Sequence, residues 1–214
     1  RQLLDIDVES TGLVFVLSYR SGGKSREDYF VEIYGVDGTL IDTVEGVAAV
    51  ARAVVADMVD DRTVLAVTAT NALAADISGA VREQLIALGR VDGHGASVRL
   101  GRDQCMASAG DIVQGRRIDR ALGLSNRENY QVTAVNDDQS LDVVTVRTGQ
   151  ARHVPAEYVA ADMALAYATT VHAAQGRTVD ACHALADGRG DINGLYVAMS
   201  RGRIRNTAHV ICPV

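Results

Sequence analysis

The chain predicts an α/β fold in which a parallel sheet flanked by helices is interrupted by a smaller all-β module. Three observations carry that expectation. Of 214 residues, 48% are apolar, few are aromatic and only two are proline, a composition that builds a packed core. Thr63-Val-Leu-Ala-Val-Thr68 is a short continuous apolar run, as in a parallel strand buried on both faces, and a helical period follows at once. Between residues 98 and 158 the apolar runs are short, closely spaced and broken by turn residues, the pattern of a small barrel or sandwich.

Taken in order, the apolar run at residues 13–17 leads into a charged, glycine-containing stretch at 21–29. Phe30-Val-Glu-Ile-Tyr34 alternates like a strand, and Val36-Asp-Gly-Thr39 signals a turn. Residues 47–59 are rich in Ala and Val and predict a helix ending before Asp60-Asp61. After the strand at 63–68 and the Ala69-Thr-Asn71 turn, residues 72–89 show helical spacing through Leu73, Ile77, Val81, Leu85 and Leu88, with Gly89 as the stop. Residues 108–113, 131–135, 141–146 and 153–155 are the β-like runs of the inserted module, with turns at 136–139 and 147–149. An apolar strand at 163–170, a helix beginning at 194–200 and a terminal strand at 207–211 complete the chain. The expected organisation is therefore an N-terminal segment at 1–62, a first part of the α/β domain at 63–97, the β insertion at 98–160 and a second α/β part at 161–214. A strand, a Thr/Asn turn and a helix form a corner suited to phosphate.

The net charge of −6 runs against a uniformly basic nucleic-acid surface, but the charge is uneven. Acidic residues crowd the N-terminal third, whereas Arg99, Arg102, Arg116, Arg117, Arg120 and Arg127 gather in the middle and Arg201, Arg203 and Arg205 near the end. Local basic patches decide where phosphate can sit. Cys105, Cys182 and Cys212 are odd in number and lack metal spacing, so no disulfide framework or metal site is expected and a reduced cytoplasmic compartment is the default. No segment has the length and apolarity of a membrane span. The opening Arg1 reads as the interior of a longer protein.

The phrases richest in chemistry lie late. In Thr169-Thr-Val-His172, hydroxyl and imidazole groups at a strand end can donate to phosphate oxygens without reading bases. Ala-Ala-Gln175-Gly176 follows; glycine lets a backbone N–H approach a phosphate, and Gln175 can orient a water or an oxygen. Leu195-Tyr-Val-Ala-Met-Ser-Arg201 ends on a guanidinium able to grip phosphate charge in a fork, or simply to complement a helix end. Thr70 or Asn71 can cap the following helix, contact phosphate, or both. No Gly-x-x-x-x-Gly-Lys-Ser/Thr loop occurs; Ser21-Gly-Gly-Lys-Ser25 lacks the first glycine and reads as an ordinary loop.

Residues 170–180 resemble motif V, and 195–201 motif VI, of the RecD-like branch of superfamily 1 DNA helicases. The wider phrasing is similar to the C-terminal helicase region of conjugative relaxases of the MobF type. Leu65-Ala-Val-Thr-Ala-Thr-Asn71 with Arg82 resembles motif IV, and residues 110–158 resemble the SH3-like insertion before motif V. The resemblance implies a RecA-like second motor domain with an inserted SH3-like β-barrel. It implies single-stranded DNA contacts at Thr70, Asn71, Thr170 and His172, nucleotide sensing at Gln175, Gly176 and Arg82, and an arginine finger at Arg201. It also implies ATP and Mg2+ in the intact protein, held by an upstream RecA-like domain, so that this chain alone neither binds ATP tightly nor hydrolyses it. The sequence departs from the pattern at Ser78, where Asn is common, at Ala173, where a basic residue is common, and at Asn126-Arg127, which replaces an Asn-Gly turn. Two other classes stand beside this one: a non-catalytic nucleic-acid or protein binding module on a degenerate helicase scaffold, and a small-molecule enzyme on an unrelated α/β fold.

Overall fold

A computed structural model of the chain describes residues 43–186 and 192–211, together with the backbone of two earlier strands. The Lys24 loop, the turn at 36–39 and Cys212 lie outside the described residues. The chain divides into two compact units, one formed by Arg1–Ala69 and Thr170–Val214, the other by Thr70–Thr169.

The first unit opens with β1 (Val14–Tyr19), β2 (Tyr29–Tyr34), α1 (Thr43–Val59) and β3 (Val64–Thr68). The apolar run at 63–68 does become a buried strand: Leu65, Ala66 and Val67 are each 1% exposed or less. Continuous burial on both faces is why it reads as an unbroken apolar run rather than an alternating one.

The second unit begins with α2 (Asn71–Ala87). Thr70 caps it, accepting the Leu73 N–H at 3.2 Å, and Gly89 follows at φ +67°, the left-handed geometry expected just past a helix end. The small strands are β4 (Ser97–Arg99), β5 (Met106–Ser108), β6 (Ile112–Gly115), β7 (Asn129–Val135), β8 (Leu141–Thr145) and β9 (Ala151–Val154), followed by α3 (Ala156–Asp162) and β10 (Met163–Leu165). They form a five-stranded antiparallel sheet in the order β10-β6-β7-β8-β9 and a separate β4-β5 pair. Tyr130, Leu141, Val143 and Val154 fill its buried face. The run at 108–113 is not one strand. It turns at Gly110, which sits at φ +95°, and Asp111 folds back to accept the Ser108 N–H at 2.8 Å.

The apolar stretch at 163–170 also divides, into β10 and β11 (Ala168–Thr170), on which the chain re-enters the first unit. There it forms α4 (Val171–Ala174), β12 (Val179–Ala186), α5 (Ile192–Ala198) and β13 (Gly202–Val210). The six-stranded sheet runs β11-β3-β12-β13-β1-β2. Its β3, β12 and β13 are mutually parallel and β1 and β2 add antiparallel pairs, so the expected parallel sheet is present with an antiparallel edge. On one face Val171, Ala174, Leu195 and Ala198 of the short helices, with Met199 just past α5, pack on Leu65, Val67, Cys182 and Ala184. On the other face α1 lies over β3, β12 and β13. Among the described residues no helix is long and apolar enough to cross a membrane, and no cluster of His, Cys, Asp or Glu is arranged to hold a metal.

Candidate functional site

α4 is a single turn with two characters. Ala173 and Ala174 are buried, Ala174 within the core cluster, while His172, Gln175 and Gly176 are exposed. Thr170 stands at the N-cap in extended geometry, yet its hydroxyl makes no capping bond to the helix. The sequence alternates in this way because the alanines must fit against Leu65 and Val67 without displacing the sheet, leaving the polar residues on the outer side. Gly176 adopts φ +79°, and an added Cβ would meet nothing within 4 Å. Glycine is therefore required there by backbone conformation, not by crowding.

Arg201 follows α5 and is half-buried. Its Nε donates to the Val197 carbonyl at 2.8 Å, one Nη to the Arg177 carbonyl at 3.4 Å and the other to Ser200 Oγ at 2.8 Å. The guanidinium thus fastens the end of α5 to the turn that follows Gly176, which brings the polar phrases at 170–180 and 195–201 together within one unit. The next residue is pinned as well. Buried Asn206 accepts the Gly202 N–H at 2.7 Å and donates to the Gly202 carbonyl at 2.8 Å. A Cβ on Gly202 would lie 2.0 Å from the Arg205 carbonyl oxygen, so the backbone carrying Arg201 closes only with glycine beside it.

The remaining sequence-expected residues lie in the second unit. Thr70 caps α2, and Asn71 is its exposed first residue. Arg82 is part of a buried network: Nε donates to Asp111 Oδ2 at 2.8 Å and an Nη to Ser108 Oγ at 2.5 Å. Tyr167 donates to Asp111 Oδ1 at 2.9 Å and accepts the Ile112 N–H at 3.1 Å. Burial, with the Asp111 charge beside it, pushes the Tyr167 hydroxyl far up, so it stays a donor at any ordinary pH. This geometry gives Arg82 the work of anchoring the β5–β6 turn.

Two charged clusters of the first unit escaped sequence reading. At the starts of the parallel strands, Asp180 accepts from the Thr63 hydroxyl at 2.6 Å, the Thr63 N–H at 3.0 Å and Arg203 at 2.7 Å. The Thr63 bonds, then Arg203, hold the Asp180 carboxyl down to about 2. Beneath α1, Asp57 Oδ2 meets His183 Nε2 at 2.8 Å and Arg205 at 2.5 Å, while its other oxygen pairs with Arg62. His183 Nδ1 lies 3.3 Å from His209 Nε2. Burial alone would raise the Asp57 carboxyl, but His183, Arg205 and Arg62 together hold it well below the usual range. Burial lowers His183, and lowers His209 to about 3. Linear spacing scatters these residues. Only the parallel pairing of β12 with β13, which places Leu185 opposite His209, puts the two imidazoles side by side.

No family model matches the chain, and no curated protein matches it. Solved structures do. The Bacteroides Pif1 helicase in complex with ADP-AlF3 and ssDNA is similar at a TM-score of 0.50 and 16% identity, covering 80% of this chain and 49% of that one. Bacteroides Pif1 bound to ssDNA is similar at a TM-score of 0.49 and 16% identity, covering 70% of this chain and 41% of that one. This chain thus spans about half the length of those proteins or less. The likeness is one of fold, a mixed α/β architecture with parallel strands consistent with a RecA-like helicase domain.

Proposed function

We propose that the chain is the second RecA-like domain of an ATP-dependent superfamily 1 DNA helicase or translocase. The five-stranded sheet of the second unit is read as its SH3-like insertion, and a conjugative or other DNA-processing protein as its setting. The observation that carries this reading is the joining of motif V to motif VI in one unit. His172 on α4 and Gln175 at its C-cap are exposed, Thr170 stands half-buried at its N-cap, and Arg201 is bonded to the Arg177 carbonyl that follows.

In this reading Thr170 and His172 donate to backbone phosphates of single-stranded DNA, giving contacts that follow the strand without reading its sequence. Gln175, the Gly176 backbone and Arg201 are an amide, a backbone N–H and a guanidinium, a donor set that fits phosphate and offers no carboxylate for magnesium. ATP with Mg2+, held by a preceding motor domain, supplies the phosphoanhydride whose cleavage drives movement. Arg201 would bring charge to that phosphate from a neighbouring domain; its bond to the Arg177 carbonyl links its position to motif V, and its bond to the Val197 carbonyl holds it to α5. Arg82, engaged with Asp111, acts here as a positioning residue.

The test is fluorescence anisotropy of the chain with a labelled single-stranded oligonucleotide across a salt series, beside a Thr170→Ala/His172→Ala variant. Salt-sensitive binding that weakens at least tenfold in the variant is expected. Binding by the variant as tight as the wild type would sink the motif V assignment.

A further inference from the structure

The second unit contains a polar cavity of about 360 Å³, at the small end of the size range of ligand sites. Arg102, Arg116 and Arg127 all line it, with Asn71 at the start of α2 and Asn126 beside them. Arg116 stands out among these. Its Nε is buried and has no hydrogen-bond partner, in a structure where buried donors are otherwise largely matched. Burial and then the charge of Arg127 destabilise its cation, Asp103 supports it, and Arg102 adds a further like charge. Arg102 is partly balanced by Asp162 at 3.0 Å, which Arg117 shares at 2.7 Å.

Within the lining, three guanidiniums face a single carboxylate. Asp103 turns Oδ2 to the Leu165 N–H at 2.7 Å and Oδ1 to the Cys105 N–H at 3.1 Å, bracing two backbone segments. Burial pushes its carboxyl up, against the pull of those two N–H bonds and of Arg116. Convergent guanidiniums beside amide donors and the positive end of a 17-residue helix suit a tetrahedral oxyanion with several acceptor oxygens.

We propose that this cavity is a phosphate-binding site, with Arg116 as its central ligand and Arg102, Arg127 and Asn71 as its surrounding donors. The phosphate group is either a backbone phosphodiester of single-stranded nucleic acid or a terminal phosphate; only the first source rests on the helicase reading.

The experiment is calorimetric titration of the whole chain with inorganic phosphate at low salt, then with oligothymidine bearing or lacking a 5′-phosphate. Wild type is compared with Arg116→Gln and with Arg147→Gln, whose side chain is 82% exposed and lies outside the cavity lining. Phosphate affinity is expected to fall at least tenfold in Arg116→Gln and to stay within twofold in Arg147→Gln. The melting temperature of Arg116→Gln without phosphate should equal or exceed that of wild type, because a buried unmatched donor and a like-charge contact are removed. In wild type, phosphate should raise the melting temperature, an effect readable without any variant. If Arg116→Gln weakens both oligonucleotides equally, the source is the backbone; if only the phosphorylated one, it is a terminal phosphate. Absence of phosphate binding by wild type, or undiminished binding by Arg116→Gln, overturns the proposal. Phosphate binding that persists in the Thr170→Ala/His172→Ala variant while its DNA affinity is unchanged would leave the cavity standing and remove the motif V reading.

Discussion

At the residue scale, Gly176 and Arg201 show how tightly chemistry and backbone are bound together in this chain. Gly176 holds φ +79° in open space, so Gly176→Ala introduces left-handed strain and nothing else. That strain costs about 1–2 kcal/mol, which urea unfolding of the variant would register as a lower midpoint at unchanged slope. The polar phrase around it was legible in the sequence, because Thr170, His172, Gln175 and Gly176 crowd one short apolar stretch. Arg201's bonds were not legible. Its reach to the Arg177 carbonyl depends on how α5 ends and on the Gly202–Asn206 closure, neither of which leaves a mark in local spacing.

At the scale of elements, α2 and β3 were readable because their signals are local: a threonine cap, a 3.6-residue period, a glycine stop and one apolar run. The division of 163–170 into β10 and β11 was not, since every position there is apolar or Thr and no polar residue marks the change of sheet. The Arg82 network was hidden for a related reason, its partners lying 26 and 29 residues away. Removing Arg82 as alanine leaves Asp111, which is fully buried, without its countercharge. A loss of about 3–5 kcal/mol is expected in denaturant unfolding, with Arg82→Lys intermediate; a loss below ~1 kcal/mol would show that Ser108 and Tyr167 alone satisfy the carboxylate. Beneath α1, the Asp57–His183–His209 chain predicts acid sensitivity. Both histidines are lowered on folding, so their contribution is whole above about pH 6.5 and declines as the unfolded chain takes up protons the folded one refuses. Asp57, also lowered, adds its loss below about pH 4. Urea midpoints at pH 7, 5.5 and 4 should fall stepwise; a flat series would contradict the burial of these imidazoles.

At the scale of the whole molecule, a net charge of −6 coexists with a cavity lined by three arginines, so the proposed phosphate contacts depend on a few placed donors rather than on overall field. Each phosphate neutralised on a single strand contributes about 0.7 to the slope of log affinity against log salt. Where the cavity takes a backbone phosphodiester, Arg116→Gln should therefore flatten that slope by about 0.7, whereas Arg147→Gln should leave it unchanged. An altered affinity with an unaltered slope would place the effect of Arg116 outside phosphate contact.

The interruption of the first unit has a consequence for how the protein is made. β3 waits for β12 across a gap of 117 residues between Thr63 and Asp180, and β1 waits still longer for β13. On a ribosome, the strands β6 to β9 emerge together and can pair as they appear, while β3 must hold an unpaired apolar edge until β11 and β12 have been synthesised. The parallel sheet thus forms after the β module it encloses in sequence, and its first-made strand is the segment most in need of shelter from other nascent chains.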